Sequence, residues 1–248
     1  MKILSSVLSA LVCLAPLVHA ADSFEDRMKT AVAAIRSKQK ESSGAYYAEI
    51  ETQGRALLKD FPEKVDPYQM LLAVAQTSEP DKARAIIKEI MTDKTPAEAK
   101  EAAQGLLTKM DALGKPLDIK FKAVDGREVD LAAMKGKVVL VDFWATWCGP
   151  CVAELPRVKE AYDKLHPKGF EIVGISFDQD KSKLEAFVKE KEMAWPQYFD
   201  GKYWENDYGK KYGIQGIPAM WLVGKDGNLV DMNARDGLAA KVEKLLEK

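Results

Sequence analysis

Val138-Val-Leu-Val-Asp-Phe-Trp-Ala-Thr-Trp-Cys-Gly-Pro-Cys151 is the stretch whose reading decides the fold. Residues 138–143 are apolar and β-branched on both faces apart from one acid, the composition of a central parallel strand covered on both sides. The run leads straight into Cys148-Gly149-Pro150-Cys151. Two cysteines with two residues between them, on the first turn of the next helix, lie close enough to close a small disulfide ring. Opening and closing that ring is the chemistry this stretch points to.

The words from Asp142 to Cys151 resemble the active-site segment of thioredoxins: Trp147 ahead of the first cysteine, Gly149 and Pro150 between the pair, and Asp142 six residues upstream. A bare C-x-x-C also occurs in zinc and haem-attachment motifs, so the flanking residues carry the resemblance.

The chain has 248 residues, enough for one to two domains. Its formal net charge of −1, without a long basic run, argues against a nucleic-acid partner. Met1-Lys2, the apolar run 3–17 and Val18-His19-Ala20 read as an export leader over residues 1–20. The run is shorter than the roughly 20 residues of a spanning helix, which favours a removed leader and a soluble, exported, periplasmic protein over a retained anchor. Cys13 leaves with the leader. Cys148 and Cys151 then remain alone in a compartment where disulfides form, and their spacing favours cycling over a permanent bond.

Over residues 22–114 the pattern is helical, with segments near 24–39, 46–61, 67–76, 81–91 and 96–113 and Asp66, Asp81 and Thr95 as caps. About five antiparallel helices are expected, without a convincing repeat period. From Leu117 the period changes to two, and Val124-Asp-Gly-Arg127 predicts a hairpin. A helix is predicted over 152–165, bent at Pro156. A strand over 170–177, helices over 181–191 and 205–212, a hairpin of 219–223 with 229–232, and a helix over 238–246 complete the chain.

This order is that of the thioredoxin fold, a mixed central sheet with flanking helices (α/β), here over 116–248 and preceded by an all-α domain. The extra segment before the hairpin, the leading hairpin and Glu154-Leu155-Pro156 resemble the extracytoplasmic thiol–disulfide oxidoreductases of the TlpA type. That resemblance implies protein disulfides as substrates, a membrane electron donor upstream, reducing direction, and no cofactor beyond the Cys148–Cys151 couple.

Cys148 opens its helix, where unpaired amides favour a negative sulfur, so it is expected to attack, with Cys151, deeper and more covered, resolving the mixed disulfide. Asp142, a carboxyl in an apolar strand, is the expected proton carrier, its pKa raised by burial. The lysine that accompanies this acid in thioredoxins is replaced here by Gly174, which leaves water or Glu154 to help. Gly216-Ile217-Pro218 resembles the cis-proline loop of the fold, where the Ile217 backbone pairs with bound peptide. Trp147 is expected at the docking surface, Trp144 in the core beside the site, and Trp195, Trp204 and Trp221 in packing. His166 is expected at the surface, away from the chemistry. A peroxiredoxin-like thiol peroxidase is the nearest alternative, but it wants threonine three before the cysteine, and Thr146 stands two before Cys148. A partner-binding module led by the helical region is the other. Two cysteines and a distant histidine fall short of a structural zinc site.

Overall fold

The computed structural model describes residues 23–247; the leader read at 1–20, with Cys13, lies outside them. Helices α1 (Phe24–Lys38), α2 (Ser43–Asp60), α3 (Asp66–Thr77), α4 (Pro80–Ile90) and α5 (Ala97–Ala112) come first. Their apolar stripes meet in a core of their own around Leu71, Ile86, Ile87 and Ile90. The oxygens of Ser23 and Ser42 cap α1 and α2 by accepting the amides of Asp26 and Ala45. Asp66 and Asp81 lie inside the first turns of α3 and α4, where their charges face unpaired amides without capping them. Thr95 does not cap α5; it turns back to donate to the carbonyl of Ile90.

The period-two segment forms a separate antiparallel hairpin, β1 (Lys120–Lys122) with β2 (Glu128–Asp130). Strand β3 (Val138–Trp144) follows, then α6 (Gly149–Leu165), β4 (Phe170–Ser176), α7 (Lys181–Glu190), β5 (Gln197–Tyr198), α8 (Asp207–Lys211), β6 (Ala219–Val223), β7 (Leu229–Asp231) and α9 (Leu238–Leu246). The sheet order is β5-β4-β3-β6-β7, with β3 parallel to β4 and antiparallel to β6. Every residue of β3 is buried, because it is the middle strand and both of its faces are covered. Side chains alternate along a strand, so Leu140, Asp142 and Trp144 share one face and Val141 and Phe143 the other. The ring of Phe143 meets Trp221 on its face at 5.3 Å.

Helix α6 begins three residues earlier than its periodicity suggests. Pro150 occupies the first turn, where a missing N–H costs nothing, and Pro156 is accommodated within the same helix. Two-residue β5 is too short to show a period, and it pairs with β4 beside the site.

The helical layer is tied to the sheet by main chain. Gly114 donates its amide to Leu229 (2.8 Å), and Leu229 returns its own to Lys115 (2.9 Å). Further up α5, Gly105 meets Gly213 backbone to backbone: a Cβ on Gly213, whose φ is +64°, would lie 2.7 Å from the Cα and carbonyl oxygen of Gly105. Gly114 also has a positive φ (+78°) but open space around it. Gly114→Ala is therefore expected to lose only about 1–2 kcal/mol from its backbone conformation, while Gly213→Ala loses clearly more, because backbone collides as well. Urea unfolding followed by far-ultraviolet dichroism separates the two; equal losses would mean that the α5 contact carries no weight.

Candidate active site

Sheet strand β3 ends at Trp144, and five residues later α6 begins, so the connecting turn sits at the carboxyl edge of the sheet. Cys148 is the N-cap of α6. Its sulfur accepts the amide of Cys151 at 3.2 Å, and the two sulfurs are joined in a disulfide with Cα atoms 5.2 Å apart. The helix N-terminus thus directs the Cys151 amide at this sulfur, the kind of placement that lowers the pKa of a free thiol from about 8.5 into a range of roughly 3.5–7.5. The two cysteines are equally covered, at 5% and 6% exposure, which corrects the expectation that Cys151 is the more buried. Gly149 and Pro150 between them are exposed, while both cysteines are buried. What distinguishes them is the amide on Cys148.

Asp142 lies on the face of β3 below this turn, 6% exposed, and its Oδ1 is buried without a hydrogen-bond partner. Burial first, and then the neighbouring charge of Glu154, push its pKa up to about 7. Glu154 is held one turn into α6 by Arg235 at 3.1 Å and Arg157 at 3.4 Å. Register places Gly174 opposite Asp142. The room above Gly174 is filled by the side chain of Gln197, whose Oε1 would lie 1.9 Å from a Cβ there and accepts the indole N–H of Trp144 at 2.9 Å. A neutral amide, and not a cation, thus stands at the register position opposite the acid.

The turn is anchored from behind by Asp178, a 3% exposed carboxylate that accepts the backbone N–H of Thr146 (3.1 Å), the hydroxyl of Thr146 (2.5 Å) and the hydroxyl of Ser176 (2.7 Å). Three donors balance its burial without a cation. Trp147 projects outward at 45% exposure, its indole N–H 3.4 Å from the carbonyl of Phe177. Across the turn, the peptide bond between Ile217 and Pro218 is cis, and both residues are half-buried. Trp144, Trp195 and Trp221 are buried as expected, but Trp204 is 37% exposed, because the loop that carries it turns outward beside Trp147. His166 stays at the surface, bonded to the carbonyl of Phe170. Asp178, Gln197 and Arg235 touch the site without a local motif to mark them; only the acid closing an apolar run at Phe177-Asp178 was a readable signal.

Residues 112–246 match the family model described as Redoxin. Over 125 residues the chain is 31% identical to the thiol–disulfide oxidoreductase ResA of Bacillus thuringiensis subsp. konkukian, covering 50% of this chain and 70% of the relative. ResA of Bacillus cereus matches with the same identity and coverage. Among solved structures, the thioredoxin domain of a thiol–disulfide oxidoreductase from Bacteroides vulgatus superposes with a TM-score of 0.50 at 34% identity, covering 54% of this chain and 98% of that one.

In the oxidised protein neither cysteine titrates, so the contribution of Asp142 is read without theirs, as the difference from Asp142→Asn. The folded state keeps its proton up to about 7, whereas the unfolded chain releases it near 3.8. Between those values the folded form binds more protons, and stability is expected to fall as pH rises from about 4 to about 7, by up to roughly 4 kcal/mol, then to level off. Asp142→Asn is expected to flatten this slope and to be the more stable form at pH 8. Urea midpoints at pH 5 and pH 8 check it, and parallel slopes in both proteins would remove the buried charge as the cause.

Proposed function

Because the chain belongs to the Redoxin family and is a thiol–disulfide oxidoreductase, we propose that it acts outside the cytoplasm as a reductant of protein disulfides, with Cys148 attacking, Cys151 resolving and Asp142 carrying the proton. The observation that supports this most is the amide of Cys151 directed at the sulfur of Cys148.

In the reduced protein the Cys148 thiolate attacks one sulfur of a substrate disulfide. The substrate S–S bond breaks, a mixed disulfide forms, and the other substrate sulfur leaves as thiolate and takes up a proton. Asp142, about half ionised near neutral pH, accepts the proton of Cys151. The Cys151 thiolate then attacks Cys148, restoring the internal disulfide and releasing the second substrate thiolate. Two electrons pass to the substrate for each ring closed. A dithiol of an upstream membrane electron donor reverses the step on this protein. Ile217 and Pro218 offer main chain to the bound segment, Trp147 its exposed ring, and Gly149 and Pro150 a surface without bulk above the bond. Glu154 and Trp144 support the acid from behind. The hydroxyl of Thr146 is committed to Asp178, which leaves it unavailable for the role a peroxidase would require.

Cys148→Ser is expected to abolish insulin reduction, and Cys151→Ser to accumulate a mixed disulfide visible by mass spectrometry. Wild-type rates in Cys148→Ser would end the reading. For direction, equilibration with a thiol buffer is expected to give a reduction potential nearer the thioredoxin value of about −270 mV than the about −120 mV of a strong oxidant.

A further inference from the structure

Three of the large apolar side chains exposed among the described residues, Trp147 (45%), Tyr203 (36%) and Trp204 (37%), lie against one another. Their ring centroids are 5.0 Å (Trp147 to Tyr203), 6.0 Å (Trp147 to Trp204) and 5.8 Å (Tyr203 to Trp204) apart. The loop presenting the last two is stiff. Asp200 accepts the amides of Lys202 (2.9 Å) and Asp207 (2.8 Å), and Asn206 donates to the carbonyl of Ser176 at 3.0 Å. Within this frame Tyr203 holds φ at +57°, a conformation that bulky side chains rarely adopt. The fold therefore accepts backbone strain while keeping aromatic surface in water, next to the redox turn.

Trp204 also forms one side of a second feature, a cleft of about 280 Å³ between the redox domain and α5. Glu101, Gln104 and Thr108 of α5 line the opposite wall, and Gln215, three residues before Pro218, lines it from the cis-proline loop. Polar side chains of this kind can pair with the amides and carbonyls of an extended chain. The aromatic rings suit its apolar side chains.

We infer that the aromatic patch and the α5 cleft together form one docking surface for an extended segment of the protein substrate. An apolar or aromatic residue beside the target cysteine lies on Trp147, Tyr203 and Trp204, and the following main chain runs against α5. The inference rests on the exchange reaction proposed above and adds its substrate class: disulfides in extended protein segments flanked by apolar residues, in preference to small disulfides. Continuity carries the argument. Cys148 is only 5% exposed, so a partner whose sulfur reaches it must cover Trp147, Trp147 touches Trp204, and Trp204 lines the cleft. Rigid aromatic side chains at the centre of a contact are also the residues that dominate protein recognition. On this reading the helical layer selects substrate.

The test uses the full chain in its reduced form and two substrates, a disulfide peptide with phenylalanine beside cysteine and an extended tail, and the small disulfide 5,5′-dithiobis(2-nitrobenzoate). Thr108→Trp fills the cleft from α5, and Trp204→Ala removes the shared ring. In each variant the ratio of kcat/KM for the peptide to that for the small disulfide is expected to fall at least tenfold, through KM. An unchanged ratio in both overturns the inference. So does a parallel loss on both substrates, which would assign these residues to the support of the redox turn. A wild-type protein that reduces neither substrate removes the exchange reading itself, and the docking surface with it.

Discussion

One amide pointing at one sulfur is the interaction on which the rest of this structure depends. The N–H of Cys151 reaches the sulfur of Cys148 only because a helix starts there, at the carboxyl edge of a sheet. The start is fixed from both directions. Behind it, β3 is buried along its whole length and cannot slide by one residue without turning Asp142 and Trp144 to the opposite face. Beside it, Asp178 holds the amide and hydroxyl of Thr146, so the chain enters the helix at one angle. A thiolate at Cys148 would meet this amide already in place, so its formation needs little reorganisation.

The balance of charge around Asp142 follows from what is missing beside it and what is held nearby. A cation opposite would pull its pKa down; the register position that could supply one is Gly174, and the Gln197 amide fills that space. Burial therefore dominates, and Glu154 adds to it because Arg235 and Arg157 keep that carboxylate in place. Both effects favour the protonated acid, and neither is opposed by an ion pair to Asp142. An acid that titrates near neutrality results from burial in an apolar strand with no cation beside it among the described residues, without a special hydrogen bond.

Much of this was legible in the sequence, and the parts that were not have common physical causes. Helices α1 to α5 carry enough residues for their period to show, and strands β3, β4 and β6 enough for an apolar run buried on both faces. Strand β5 has two residues and no period. Apolar periodicity alone starts helix α6 at Val152, because Gly149 and Pro150 are weak helix formers; the reading of Cys148 as its opening residue matches the local cap. The near-equal cover of the two cysteines is set by the packing of the folded turn, and the exposure of Trp204 by the polar frame around Asp200. Arg235 reaches Glu154 across 81 residues, with no local pattern to announce it. Composition along the chain registers what a segment can bury, not which loop is held out of the core by someone else's hydrogen bonds.

The same distinction bears on the helical layer. Its apolar stripes predict a core, and it has one, which by itself would make it a passive neighbour. The contact between Gly105 and Gly213 is different in kind, because two main chains touch with no side chain between them to absorb a shift. Paired amides tie the end of α5 to β7 a short distance away. Gly213 lies five residues before the cis peptide bond of Pro218, with Gln215 between them lying over Gly105. A displacement of α5 would therefore be transmitted to the loop that faces the disulfide, since close-packed backbone yields by moving, not by repacking. The loop that carries the cis peptide bond and the helix that walls the adjoining cleft are thus one mechanical unit, built from the two halves of the chain.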